Sequence, residues 1–251
     1  MSAADMKLRT KTEETHGLNV LAFDTSSPVL TVSCVRCDGI RSEANLTGPY
    51  QHSENLFSLI DHCLKCLKLD LREIDAFGIG MGPGSFTGLR IGFSCLKGFA
   101  LACGRPLYGI SSLDLIAEGV PAGIGRLAVI VNARRERIYC AFFRSRDGVF
   151  ERESPEDEVL SIHDLKEKTR GEIAFTGDAL LEYGDALRSG NPAARFLEGK
   201  FWYPRIEPLV RMIQSRSKRM KPLDLESLKP QYLRLSEAEE KLRAKRVLTN
   251  A

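Results

Sequence analysis

The chain has no Gly-x-x-x-x-Gly-Lys-Ser/Thr segment, no Gly-x-Ser-x-Gly elbow and no pair among its four histidines at ligand spacing. Three common routes to chemistry on an α/β scaffold are thereby closed: the Walker phosphate loop, the hydrolase nucleophile and the helical His-x-x-x-His metal site. Charge of one sign is also lacking, since 36 basic and 33 acidic side chains leave a net +3 over 251 residues. That balance excludes the concentrated positive field of a dedicated nucleic-acid binder, so any RNA contact is expected to be local or shared. The first 17 residues carry charges but no apolar core, and they are expected to form a disordered N-terminus of a cytoplasmic protein, not a signal peptide or a span. Seven cysteines, an odd number, suit reduced thiols in the cytoplasm better than a disulfide framework.

Two Cys-x-x-Cys pairs, Cys34/Cys37 and Cys63/Cys66, have about the separation of a zinc site. The first lies in an alternating strand pattern, where an odd offset sends the sulfurs to opposite faces. The second lies inside a helical pattern without the glycine-bearing turn of a zinc knuckle. No metal site is expected. His16, His52, His62 and His163 form no ligand pair, and His52 is expected to cap a helix or lie at a partner surface.

What is present is Gly80-Met-Gly-Pro-Gly-Ser-Phe-Thr-Gly-Leu-Arg-Ile-Gly92, which carries a buried strand at 76–80 through a tight turn into a helix from Ser85 to residue 103. Pro83 fixes one φ angle, Gly82 and Gly84 permit positive φ, and Ser85 is suited to cap the helix. Such a corner can cradle an anion or simply turn the chain, and the pattern alone favours the structural turn.

Around it, strands are expected at 18–23, 29–35 and 40–46, an amphipathic helix from Ser53, and a short strand at 107–110, giving the order β-β-β-α-β-α-β. That is the ribonuclease-H-like order. A second half begins near Arg126, where strands at 127–131 and 138–143 repeat the opening layout. Further elements follow as a strand at 173–176 and helices at 161–168, 179–188 and 208–218. The expected division is a lobe over 18–115, a second over 116–235, and a charged tail at 236–251. The helix from Ser85 is apolar nearly all round, more than one sheet face can bury, and Gly88, Gly92 and Cys95 would let another helix approach it.

The glycine turn, taken with Leu21-Ala-Phe-Asp-Thr-Ser-Ser27, Gln51-His-Ser-Glu54, Lys97-Gly98, Gly109-Ile-Ser-Ser-Leu113 and Pro230-Gln-Tyr-Leu-Arg234, resembles the TsaB (YeaZ) family over most of residues 18–236. The resemblance implies an actin-like fold of duplicated ribonuclease-H-like α/β lobes. It implies a non-catalytic subunit of the bacterial machinery that makes threonylcarbamoyladenosine beside the tRNA anticodon. Its partners would be a TsaD-type catalytic subunit and a TsaE-type ATPase, with tRNA as substrate of the complex and a homodimer in isolation. The resemblance places the partner interface on the two helices of the first lobe, at His52, Leu56, Leu59, Ile60, Cys63, Gly88, Leu89, Gly92, Phe93 and Leu96.

In actin-like ATPases an acid ends the first strand near the metal of bound nucleotide, and Asp24 matches it by resemblance. Asp24, Thr25, Ser26, Gly177 and Asp178 make a degenerate nucleotide site, its second-half counterpart being the uncharged Asn132. ATP or ADP is expected to bind weakly, or only with the partner. In the sister TsaD family the segment matching 109–116 resembles Gly-Val-Asn-His-Leu-Glu-Gly-His, whereas here Ser112 and Ile116 stand at the histidine positions. The rival readings are an ATPase or small-molecule kinase using Asp24 and Gly177-Asp178, and, more distantly, a metallopeptidase. Two basic runs, Arg134-Arg-Glu-Arg137 and 211–221, are candidate phosphate contacts.

Overall fold

The structure is a computed structural model that describes residues 17–48, 52–216 and 220–233. The first lobe is built on a five-stranded sheet: β1 (Val20–Asp24), β2 (Val29–Val35), β3 (Arg41–Thr47), β4 (Ala76–Gly80) and β5 (Leu107–Ile110), in the order β3-β2-β1-β4-β5. β1 and β2 pair antiparallel, as do β2 and β3; β4 and β5 extend the sheet in parallel. Helices α1 (His52–Leu67) and α2 (Phe86–Cys103) cover one face. Phe23, Phe77, Leu56 and Leu96 are sealed beneath them, each such burial stabilising by about 1.5–3 kcal/mol.

A short helix, α3 (Ser112–Glu118), leads to the second sheet. That sheet contains β6 (Arg126–Asn132), β7 (Arg137–Arg146), β8 (Val149–Arg152), β9 (Glu158–Ser161), β10 (Ala174–Thr176) and β11 (Arg195–Phe196), with helices α4 (Ile162–Lys168) and α5 (Leu180–Gly190) on one face. Its order β11-β10-β6-β7-β8 repeats the first sheet, with β6 and β7 antiparallel and β10 and β11 parallel to β6. The ten-residue β7 is shared along its outer edge: β8 pairs with its second half and β9 with its first. Residues 153–157 step between the two. The duplication is therefore one of topology, two mixed sheets of the same strand order in an α/β chain.

The expected lobe boundary needs correction. After the second lobe the chain returns, and α6 (Glu207–Gln214) lays Leu209, Val210 and Ile213 on the open face of the first sheet against Val20, Ala22 and Ala76. Beyond it Leu223 pairs with Leu107 at the β5 edge, Leu228 enters the first core, and the Gln231 amide reaches the Met81 carbonyl at 3.0 Å. Residues 206–233 thus belong to the first lobe, not the second. The amphipathic pattern of α6 announced a buried face but not which sheet would bury it. The helix expected to 218 ends at Gln214, and the tail at 236–251 lies outside the described residues.

Candidate functional site

Three segments meet at the carboxyl end of β1. Asp24 is fully buried; its Oδ1 accepts the Ser26 amide at 2.7 Å and the Ser26 hydroxyl at 2.6 Å, and its Oδ2 accepts the Ser112 hydroxyl at 2.6 Å. Ser112 also accepts the Gly82 amide through its Oγ at 3.0 Å and donates its own amide to the Gly82 carbonyl at 2.8 Å. The glycine turn closes the corner, with the Ser85 amide on the Ser26 carbonyl at 2.6 Å. Ser85 then caps α2 by accepting the Gly88 amide at 3.2 Å. A Cβ at Gly80 would collide with the Asp24 carboxylate, so the strand passes this group only as bare backbone.

The candidate nucleotide residues fall into two separate hydrogen-bond systems. Asp24 and Ser26 bond each other, while Thr25 is buried against α2. In the second lobe Asp178 follows Gly177, whose φ of 112° turns the chain, and accepts the Asn132 amide at 2.9 Å. Burial pushes the Asp178 carboxyl up, the Asn132 N–H opposing it. Asn132, at the end of β6 as Asp24 ends β1, donates its side-chain amide to Glu182 at 2.6 Å and accepts the Arg134 amide at 2.7 Å. This donor set does not fit a metal-bound nucleotide. One carboxylate is engaged by two hydroxyls and an amide, and the matching position in the second lobe is a carboxamide.

The interface residues read from the sequence are the inward ones, and this is a correction. Leu56, Ile60, Cys63, Leu89, Phe93 and Leu96 lie in the core of their own lobe, with Leu59 packed against it. Gly88 and Gly92 are buried too: a side chain at Gly88 would strike the Thr25 carbonyl and one at Gly92 the Thr25 hydroxyl. Their smallness admits the β1 turn, not a neighbouring molecule. The side chain of His52 lies outside the described residues.

The outward face of these helices carries other residues. Phe57 is 57% exposed and meets the Phe99 ring edge-on at 6.1 Å, and Leu101 is 74% exposed on α2. Ser94 and Gly98 lie on the exposed side of the same helix, and a Cβ at Gly98 would meet open space. At the α2 N-terminus Arg90 stacks 3.9 Å from the Phe86 centroid, and the Tyr232 ring lies 4.9 Å from Phe86. By length and composition α2 is apolar enough to cross a membrane, yet its apolar residues cover the first sheet.

Of the Cys-x-x-Cys pairs, Cys34 and Cys63 are buried and Cys37 and Cys66 exposed, Cys37 standing in the turn beyond the last residue of β2 and not in the strand expected to carry it. Among the described residues no cluster of three or more His, Cys, Asp or Glu side chains is poised for a metal ion. Arg134 and Arg135 occupy left-handed backbone in the β6–β7 turn, with Arg137 beside them. Of the second basic run, residues 217–219 lie outside the described residues.

A family model described as TsaD, tRNA N6-adenosine threonylcarbamoyltransferase, matches residues 49–167. The tRNA threonylcarbamoyladenosine biosynthesis protein TsaB of Escherichia coli is 26% identical over 233 residues, covering 91% of this chain and all of that protein. The Bacillus subtilis protein of the same name is 27% identical over 228 residues, covering 89% of this chain and 97% of its own length. Among solved structures, YeaZ from Pseudomonas aeruginosa superposes with a TM-score of 0.70 at 24% identity, over 86% of this chain and all of that one.

Proposed function

This chain belongs to the TsaB (YeaZ) family, and we propose that it is the non-catalytic partner subunit of the bacterial complex that transfers threonylcarbamoyl to the adenosine beside the tRNA anticodon. Its part in tRNA threonylcarbamoyladenosine biosynthesis is to bind a TsaD-type catalytic subunit and activate it, in an assembly that includes a TsaE-type ATPase. The observation that carries this reading is the outward face of α1 and α2, where Phe57 and Leu101 stand open to solvent beside the small residues Ser94 and Gly98. Exposed aromatic and aliphatic groups flanked by small ones form a surface that a partner can bury closely. In the absence of the partner the same face pairs two copies into a homodimer. Any direct tRNA contact falls to Arg134, Arg135 and Arg137.

Residues that support a binding role and oppose an enzymatic one are Asp24, held by Ser26 and Ser112, and Asn132, which has no charge to offer a metal. The chain performs no nucleotide chemistry of its own in this reading. ATP turnover by the purified protein at about 1 per second or faster, abolished by Asp24→Ala, would favour the ATPase or kinase instead.

The test is binding of purified variants to the catalytic subunit, with threonylcarbamoyladenosine formation in the reconstituted system as second readout. Phe57→Arg and Leu101→Arg should each keep the wild-type melting temperature and weaken binding about tenfold or more. Wild-type affinity in both variants overturns the assignment of this face. Loss of binding in Arg134→Glu or Arg135→Glu would place the partner on the second lobe.

A further inference from the structure

Two consecutive serines at the head of α3 hold opposite lobes. Ser112 donates its hydroxyl to Asp24 in the first lobe at 2.6 Å. Ser111 donates its own to Asp157 Oδ2 in the second lobe at 2.8 Å while accepting the Leu113 amide at 3.1 Å as the helix cap. The Asp157 side chain is fully buried in the step between β8 and β9, and its other oxygen takes an Arg152 NH at 2.6 Å. Arg152 Nε reaches back to Asp114 in the first turn of α3 at 2.7 Å, and its guanidinium lies 5.4 Å from the Phe143 ring centroid. The apolar side chains of α3 divide in the same manner: Leu113, Ile116 and Ala117 join the second lobe's core, and Leu115 joins the cluster beneath the first sheet.

We propose that residues 111–114 are an interlobe clasp, which fixes the angle between the lobes and couples that angle to the Asp24 corner. Lobes joined by connecting segments move as hinges unless those segments are tied down. Here both ties are hydrogen bonds to buried carboxylates, the stronger charge-assisted kind, and they leave from adjacent residues. A change at one serine therefore bears directly on the bond made by the other. The chain of contacts continues outward, because the Ser26 carbonyl that accepts the Ser85 amide belongs to the loop whose Asp24 holds Ser112. Movement of the α2 N-terminus is carried through Ser85, Ser26 and Asp24 to Ser112, and from Ser111 to Asp157. In the isolated protein the lobes move as one body, and a partner on α2 acts on the second lobe through this route.

The experiment measures the interlobe distance in solution by pulsed dipolar spectroscopy between spin labels on the exposed Cys66 of α1 and on a cysteine introduced by Ser189→Cys on α5, with Cys37 and Cys103 replaced by serine. Ser111→Asp retains a good helix cap but sets a second carboxylate against Asp157. It should widen the distance distribution about twofold or more, and adding Asp157→Asn should restore the parent width. Ser111→Ala, a milder change, should widen it in the same direction. Parent widths in both single variants overturn the proposal, as does a widened Ser111→Asp distribution that Asp157→Asn leaves unchanged. If Ser111→Asp does not fold, the Ser111→Ala width alone decides.

Discussion

Ser112 Oγ and Asp24 Oδ2 lie 2.6 Å apart although 88 positions separate them in the chain. The Ser112 hydroxyl binds the Asp24 carboxylate directly and so joins the head of α3 to the end of β1. Ser112→Ala would leave both the Asp24 oxygen and the Gly82 amide short of a partner in a buried corner. A loss of about 2–3 kcal/mol in unfolding free energy is expected from urea titration. A loss below about 0.5 kcal/mol would mean that other groups replace the hydroxyl at no cost.

The buried and the exposed glycines of α2 should separate cleanly. Gly92→Leu drives a side chain into the buried Thr25 hydroxyl and should destabilise the fold by about 3 kcal/mol or more, seen as a lowered denaturant midpoint. Gly98→Leu enters open space within a helix and should raise stability by about 0.5–1 kcal/mol. If the Gly98 face meets the catalytic subunit, the same variant binds it less tightly.

Thiol chemistry should follow burial. Burial pushes Cys34 and Cys95 up to about 12, and it raises Cys63 and Cys140 as well, so at pH 8 these groups remain thiols. Iodoacetamide on the native protein should mark Cys37 and Cys66 first, and the buried four only after denaturant, as peptide mass mapping will read. Fast native labelling of Cys34 would show that α1 lifts away from the sheet on the labelling timescale.

Glu153 offers a pH test. The Arg126 guanidinium, chiefly by hydrogen bonding, and then Arg144 hold its carboxyl below the usual 4.5. A carboxylate with a lowered folded-state value contributes stability above its unfolded value, and the contribution is lost as the pH falls through the lowered one. Glu153→Gln should therefore be less stable than the parent at pH 7, the difference closing as the pH is taken below 4.5. Thermal melts across pH 2.5–7 in about half-unit steps would show it. Parallel curves over the whole range would contradict the assignment.

How much was readable from the sequence depended on the range of the interactions concerned. β2, β4 and β5 have the expected bounds, and Ser85 caps α2, because alternation, glycine-proline turn chemistry and capping are local. Missed elements were α3, whose segment was read for the family resemblance and for metal ligands but not as a helix, and the short strands β8, β9 and β11, each interrupted by a charged residue where β5 and β10 have none. The outward face of α2 was misread because a helix apolar nearly all round shows no preferred stripe, and its most crowded side turned inward. Nothing local announces that Ser112 meets Asp24, or that Ser111 meets Asp157, since those pairings exist only once both sheets are assembled. A serine pair following a strand is the one signal that invites the question.

The return of α6 and of residues 220–233 to the first sheet gives synthesis a definite order. The second lobe is one continuous stretch and can complete its core while the ribosome is still translating. The first lobe cannot, because Leu209, Ile213 and Leu228 emerge last and its open sheet face waits for them. The earliest strands made are among the latest to be covered. A nascent chain stalled near residue 205 would present a finished second lobe tethered to an uncovered first sheet, the species that a chaperone or a protease would meet.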